Sequence, residues 1–441
     1  MEFWIKAAQF ILSLSLIVVL HEMGHFLPAR WFGTRVERFF LFFDPKFALW
    51  KRKIGDTVYG IGWIPLGGYV KIAGMVDESM DREQMARPPE PWEFRAKPAW
   101  QRLIIMVGGV TVNLVLGMLI YIGVLFVWGK EYLPAENLTY GVQPSSLMKE
   151  MGFRDGDRIL ALEGERVKSI DDVGRKILLD DARIITIERE GKELEMVLPT
   201  DISDQVLERN EKVLFAPGVP FYVDSMVPDG NAVKSELRKG DRLVGVAGQP
   251  TPYFTQFSET VGKHAGSQVM VQVIRAGREL EIPVEVSAAG KIGVFNRPLN
   301  AYFEFENEQF GFLASIPAGI AYGWSTLSGY VSSLKLLFSS SGVKQLGGFG
   351  AIGSLYSPTW DWQRFWEMTA FLSVALAFMN ILPIPALDGG HAMFLTYEII
   401  TRRQPNQKVL EYAQVAGMVF LLALILFSNG NDVVKWLSGK M

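Results

Sequence analysis

The chain contains no cysteine. Disulfides and thiolate metal sites are thereby excluded, and any metal must be held by His, Asp or Glu. Histidine is scarce as well, with four in 441 residues. Charge is thin and nearly balanced: 21 % of residues are charged, the formal net charge is -3 and the isoelectric point lies near 6.0. No broad basic surface follows from such a composition, so nucleic-acid partners are set aside. What the chain does have is apolar mass, 49 % hydrophobic and 12 % aromatic, more than one compact soluble domain requires.

Four stretches approach the roughly 20 apolar residues that a bilayer core demands. They are Lys6 to Leu27, Leu103 to Val127, Met368 to Leu387, and Tyr412 to Ser428. The first lacks a small-residue cleavage site, so it is read as a span and not as a signal peptide. Arg30, Arg35, Arg38, Lys46, Lys51, Arg52 and Lys53 follow the first span, and Arg95, Lys97 and Arg102 precede the second. Positive residues near span ends stay cytoplasmic, which places that loop inside, along with the loop carrying Arg402, Arg403 and Lys408. The segment between spans two and three is then extracytoplasmic. Phe312 to Phe338, rich in Ser, Thr and Gly, is expected to be an interfacial or re-entrant helix on that outer side. If it crossed the membrane, Asp388 and His21 would lie on opposite faces.

Inside the first span sits "VVLHEMGHFL", Val18 to Leu27. Ionisable side chains cost at least a few kcal/mol each in a bilayer and are functional candidates by default. On a helix, residues four apart differ by about 40° of rotation, so His21 and His25 share a face and can bind one zinc ion. Glu22 lies beside them. In the His-Glu-x-x-His pattern the imidazoles hold Zn²⁺, the metal brings the pKa of its water toward roughly 7, and the Glu takes the proton. A catalytic zinc also needs a third protein ligand. "NILPIPALDGGH", Asn380 to His391, offers Asp388, with Pro383 and Pro385 breaking the helix just before it. His391 is the competing ligand; His264 falls in the outer region as a surface or core residue.

The outer segment carries a repeat. Gly156-Asp157-Arg158 and Gly240-Asp241-Arg242 stand 84 residues apart, each followed by an apolar strand and a turn. Val and Ile alternation, as in "QVMVQVIRAGRELEIPVEV", marks two copies of one β-rich unit. The pattern resembles tandem PDZ domains, although no Gly-Leu-Gly-Phe carboxylate-binding loop is evident in either copy. "TVYGIGWIPLGGYVKIAG", Thr57 to Gly74, is read as a membrane-associated β-hairpin with Gly67-Gly68 as its turn, available for strand addition by an unwound substrate.

Taken together, "HEMGHF", "IPLGGYVKIAG" (Ile64 to Gly74), Asn113 in span two and "NILPIPALDGGH" resemble the site-2 protease family of intramembrane zinc metalloproteases, in its branch with tandem PDZ domains. The likeness covers nearly the whole chain. It implies zinc ligands His21, His25 and Asp388, Glu22 as acid/base, and Asn380 as a substrate contact near the scissile bond. Asn113, Gly67, Gly68 and Tyr69 are further candidate substrate contacts, with helix-to-helix bonding the alternative for Asn113. Implied substrates are single-span membrane proteins already trimmed on the outer side, such as an anti-sigma factor, or remnant signal peptides, with membrane lipids as the other partner. Three places depart from the family's pattern. Val110 follows Gly109 where Gly-Pro is usual, Gly347-Gly348-Phe349 replaces Ser-Gly-Pro, and Phe42-Phe43-Asp44 replaces Gly-Phe-Gly.

The expected architecture is a polytopic α-helical membrane protein of a bacterial inner membrane, with four transmembrane helices, the hairpin and two extracytoplasmic PDZ-like α+β domains. The domains divide as 1–134 (N-terminal catalytic segment), 135–213 and 214–297 (PDZ-like), 298–366 (outer interfacial segment) and 367–441 (C-terminal catalytic segment). No feature of the sequence speaks to an oligomeric state. A silent PDZ-bearing membrane scaffold with structural zinc is the competing class, and Glu22 speaks against it because only catalysis requires that residue. A metal transporter would string ionisable groups through the membrane, whereas here they gather near one face.

Overall fold

The computed structural model describes residues 2–75, 88–209, 211, 213–337 and 347–437. Its contacts divide into two units, one of Met1–Gly129 with Gln309–Met441 and one of Lys130–Glu308.

The first unit is built on α1 (Glu2–Trp31) and α2 (Ala99–Val127), which run antiparallel. Each buries a stripe at four-residue spacing: Gln9, Ser13, Ile17 and His21 on α1, and Ile105, Gly109, Asn113, Gly117 and Tyr121 on α2. The polar members point inward while Phe3, Ile11, Leu12, Leu119 and Phe126 are exposed. This is the inverse of a water-soluble helix, and it suits a lipid surround. Between α1 and α2 the chain forms β1 (Val36–Phe43), β2 (Trp50–Ile54), β3 (Thr57–Ile61) and β4 (Ile64–Ile72), in the order β2-β3-β1-β4. The expected hairpin is thereby corrected. Strands β3 and β4 do not pair; both flank β1, parallel and antiparallel respectively. Gly67 and Gly68 lie within β4, and the chain turns at Gly62 and Trp63 instead, because β1 inserts between the two strands. Phe42, the position where the family's pattern has glycine, adopts a left-handed φ of 67° at a bulge in β1.

After the second unit come α3 (Phe312–Leu337), α4 (Phe349–Ser354), α5 (Trp362–Ile381), α6 (Asp388–Thr401) and α7 (Gln407–Leu437). Helix α3 packs lengthwise against α2, with Tyr322 edge-on to Tyr121 and Phe312 edge-on to Phe126, and Tyr330 reaches Phe371 of α5. It therefore lies along α2, and Phe338 falls outside the described residues. The third expected span begins and ends six residues earlier than anticipated. Helix α5 stops at Ile381, since Pro383 and Pro385 cannot donate to a continuing helix, and Asp388 opens a new one. Gly348 and Phe349, which replace the usual Gly-Pro, are received by α7: Asp432 accepts from the amides of Gly348 and Ala351 at 3.0 Å, and Asn429 from Phe349 at 3.2 Å. By length and apolarity, three helices qualify as membrane spans among the described residues: α1, α2 and the Lys408–Leu437 stretch of α7.

The second unit contains two β-rich cores, one around Val142, Ile159, Ile185 and Ile202 and one around Val223, Leu243, Val271 and Ile282. The sequence repeat is a repeated clamp. Arg189 donates through Nε and Nη2 to both carboxylate oxygens of Asp157 at 2.7 Å, while the amide of Arg154 donates to the same carboxylate at 2.8 Å. Arg275, Asp241 and the amide of Arg238 repeat this arrangement at the same distances. The Asp of each Gly-Asp-Arg is buried and closes its loop onto the far end of the sheet. Strand Lys130–Tyr132 pairs with Glu306–Glu308, and Phe303 enters the first core, so the unit extends beyond the expected limits of 135 and 297 on both sides. Phe215–Pro217 pairs with Val142–Pro144, which ties the stretch after residue 213 to the first repeat.

Burial works against the charge of Asp241, but the bonds from Arg275 and the Arg238 amide prevail and hold its carboxyl below the usual range. A depressed folded-state pKa stabilises above the ordinary Asp value of about 3.9 and is lost as pH falls through the lowered value. Asp241→Asn should destabilise the second unit by about 2 kcal/mol at pH 7. The difference from wild type should shrink below about pH 4; thermal unfolding at both pH values, followed by protease accessibility of the 214–297 region, measures it.

Candidate metal centre

At their crossing, α1 and α2 touch backbone to backbone. A Cβ built on Gly24 would stand 2.5 Å from the carbonyl oxygen of Gly108, and one on Gly108 would overlap the carbonyl oxygen of Gly24. Gly24 lies inside the His-Glu-x-x-His segment, so this approach presses both imidazoles onto α2. They rest over Gly109, where a Cβ would overlap His25 Nε2 and meet His21 Cε1 at 2.7 Å. The site thus depends on three glycines that sequence reasoning passes over or notes only for a neighbouring residue. The signal is present as Gly24 within the motif and the Gly108-Gly109 pair.

Asp388 arrives from the other side. The Leu382 to Leu387 turn, with Ala386 at a left-handed φ of 82°, ends α5 and places Asp388 on the first position of α6. Gln414 of α7 steadies this turn by accepting from the Ala386 amide at 3.2 Å, a support the sequence does not reveal. Asp388 Oδ2 stands 3.4 Å from Nε2 of His21 and 3.4 Å from Nε2 of His25, and those two nitrogens are 3.3 Å apart. The three atoms form a nearly equilateral triangle. Ligands at 2.0–2.1 Å from a tetrahedral zinc ion lie about 3.3–3.4 Å from one another, so the triangle fits one face of such a site. Asp388 Oδ2 is buried with no hydrogen-bond partner among the described residues, which suits a metal ligand. His25 Nδ1 lies 2.9 Å from the carbonyl oxygen of Ile105, an acceptor only, so its proton is on Nδ1 and its Nε2 lone pair is free.

Glu22 is half-buried and lies against Gly68 of β4, where an added Cβ would come 3.6 Å from its Cγ. It borders, with His21, His25 and Asp388, a cavity of about 580 Å³ that β4 lines through Gly68 and Tyr69. Tyr69 stacks against Phe40 and Phe43 and donates to Asp44 at 2.8 Å. Gly67 lies one residue before Gly68 on β4, against the ring of Phe43. The Asn380 amide is 3.3 Å from His21 Nε2, beside the triangle. Asn113 is brought to the same imidazole from α2, at 3.1 Å from Nδ1, and is fully buried. His391 is three residues beyond Asp388 but faces a different cavity, of about 300 Å³, with Arg102, Glu398 and Gln414. Among the described residues, His21, His25 and Asp388 form the one cluster of His and acidic groups able to converge on a metal. His264 lies in the second unit.

Two imidazoles and a carboxylate meeting beside a glutamate, between apolar helices, describe the class of membrane metallopeptidases. The sequence profile of Peptidase family M50 matches residues 9–424, and the chain belongs to that family. It is 29 % identical to a candidate zinc metalloprotease of Vibrio cholerae, over 97 % of this chain and 98 % of that one. It is 27 % identical to the Regulator of sigma-E protease RseP of Escherichia coli, over 96 % and 97 % of the two chains. A candidate zinc metalloprotease of Campylobacter jejuni is 26 % identical over 96 % and 92 %. The resemblance to site-2 proteases is borne out: the protein is an intramembrane metalloprotease of this family, and zinc is its metal.

Gly109→Ala tests the packing of the site. The added methyl would sit inside contact distance of both imidazoles, and zinc affinity should fall at least about 10–100-fold, with proteolysis falling alongside. Zinc content of the purified variant after dialysis against a chelator, compared with wild type, measures it.

Proposed function

We propose that His21, His25 and Asp388 ligate the zinc, that Glu22 is the catalytic acid/base, and that the protein hydrolyses a peptide bond within the transmembrane segment of a single-span membrane protein. The triangle of His21 Nε2, His25 Nε2 and Asp388 Oδ2, with Glu22 beside it, carries this reading. A bound zinc ion supplies Lewis acidity, lowering the pKa of a water toward about 7. Glu22 accepts the proton that water releases as its oxygen attacks the scissile carbonyl carbon, then gives that proton to the departing amine as the C–N bond breaks. Asn380, which stands beside His21 and is only partly buried, orients the peptide.

A substrate that arrives as a helix has its carbonyls engaged in intrahelical hydrogen bonds and must unwind. Unpaired backbone in lipid costs several kcal/mol per group, so an unwound strand needs a pairing edge. Strand β4 is an edge of its sheet and runs past Glu22, which supports its role as that edge, with Gly67, Gly68 and Tyr69 as contacts. The Phe40, Phe43 and Tyr69 stack keeps β4 in register. Four transmembrane helices (α1, α2, α5 and α7) make the membrane domain, in the inner membrane of a bacterium. The basic loops lie on the cytoplasmic side with the zinc, and the two repeats of the 130–308 unit form PDZ-like domains outside. These domains exclude untrimmed substrates, so that anti-sigma-factor-like proteins shortened on the outer side, or remnant signal peptides, reach the site. Regulated intramembrane proteolysis is the process this serves.

Purified wild type and Glu22→Gln are to be compared in detergent on a trimmed single-span reporter, with bound zinc measured in each. Both should hold zinc, and the variant's cleavage rate should be at least about 100-fold lower. A chelator should abolish wild-type cleavage and added zinc restore it. Equal cleavage by both proteins would overturn the role of Glu22. Full zinc in both without cleavage of any of several reporters would favour the scaffold with structural zinc.

A further inference from the structure

Asn113 is a fully buried amide in the middle of an apolar helix. One end of it meets a side chain, Nδ1 of His21 at 3.1 Å, and the other has no hydrogen-bond partner among the described residues. Its backbone carbonyl accepts from the Ser373 hydroxyl at 2.7 Å, which seats this turn of α2 against α5. Unlike Asn380, which is partly exposed, Asn113 has no exposed surface. It is therefore placed to act on the imidazole and not on a peptide.

The chemistry of His21 then decides which way the amide faces. Amide nitrogens stand opposite both of its ring nitrogens, Asn113 Nδ2 at Nδ1 and Asn380 Nδ2 at Nε2. A neutral imidazole has one N–H and one lone pair, so it cannot accept at both positions, and one amide must present its oxygen. His25 shows which one. Its Nδ1 is held by the Ile105 carbonyl on the same face of α2, two turns before Asn113, leaving Nε2 for the triangle. The corresponding arrangement for His21 requires an acceptor at Nδ1, and Asn113 Oδ1 is the group available there.

We infer that Asn113 is a positioning residue for the metal, accepting a hydrogen bond from Nδ1–H of His21 so that the Nε2 lone pair faces the zinc, and that it is not a substrate contact. The inference rests on His21 being a ligand. Second partners of this kind set ring orientation and tautomer, and their loss typically weakens metal binding 10–100-fold.

The test is a zinc competition titration with a chromogenic chelator on full-length protein in detergent, for wild type, Asn113→Leu, Asn113→Ala, Asn113→Asp and His21→Ala. Leu keeps the volume without an acceptor, Ala guards against a packing defect peculiar to Leu, and Asp restores an acceptor. The expected result is about 10–100-fold weaker zinc binding for Leu and Ala and near wild-type affinity for Asp. Unfolding of the metal-free proteins should change little, while the stabilisation on adding zinc should shrink for Leu and Ala alone. With excess zinc, Leu and Ala should lower kcat for a trimmed reporter and leave KM unchanged. Wild-type zinc affinity in Leu and Ala with a raised KM would overturn the inference in favour of a substrate contact. Loss of zinc in Asp equal to that in Leu would also overturn it, showing that shape and not the acceptor matters. If His21→Ala keeps zinc, the ligand assignment itself fails, which separates that failure from the first two.

Discussion

The centre depends on one contact, the backbone crossing of α1 and α2 at Gly24 and Gly108. Helices in an apolar surround gain little from burying apolar side chains against each other, so close packing and interhelical hydrogen bonds must hold them. A crossing this tight brings Ile105, Gly109 and Asn113 of α2 under the two imidazoles of α1. Any side chain at 24 or 108 would separate the helices, and the histidines would lose the groups that set their orientation. The polar stripe of α1 continues the same logic upward, with Ser13 bonded to Thr369 and Gln9 to the Ser357 carbonyl.

Everything else at the site comes to this crossing from elsewhere in the chain. The Leu382 to Leu387 turn delivers Asp388 from near the other end of the sequence, and α7 supports that turn through Gln414. The sheet between α1 and α2 delivers β4, whose edge approaches Glu22 because β1 occupies the place that a simple hairpin would have filled with β3. Two of the non-glycine residues with left-handed backbone, Phe42 and Ala386, lie on these delivering segments.

Much of this is legible in the residues, for identifiable reasons. A His-Glu-x-x-His segment and a Pro-flanked Asp-Gly-Gly each announce local chemistry, because ligand spacing on a helix and helix breaking by proline act over a few residues. The Gly-Asp-Arg repeat is legible as a repeat, but not as two Arg clamps, since Arg189 and Arg275 lie more than 30 residues from their aspartates. Gly67-Gly68 misleads because adjacent glycines usually signal a turn; here they sit within a strand that passes close to α1, where Gly68 leaves room for Val18 and for the backbone of Phe40. Asn113 stands out as a polar residue at membrane depth, yet whether it faces peptide or imidazole cannot be read from α2 alone.

What the sequence by itself determined is the chemistry: zinc without thiolates, two histidines on one helix face with a glutamate beside them, an aspartate after a broken helix, and a family likeness that spans the chain. These follow from residue type and short-range spacing. What only the tertiary structure decided is which atoms meet: the triangle of Nε2, Nε2 and Oδ2, the separation of His391 from it, the edge position of β4, and the amide behind His21. Those depend on how closely helices and strands distant in sequence approach, which is set by packing and by the absence of a Cβ at the crossing.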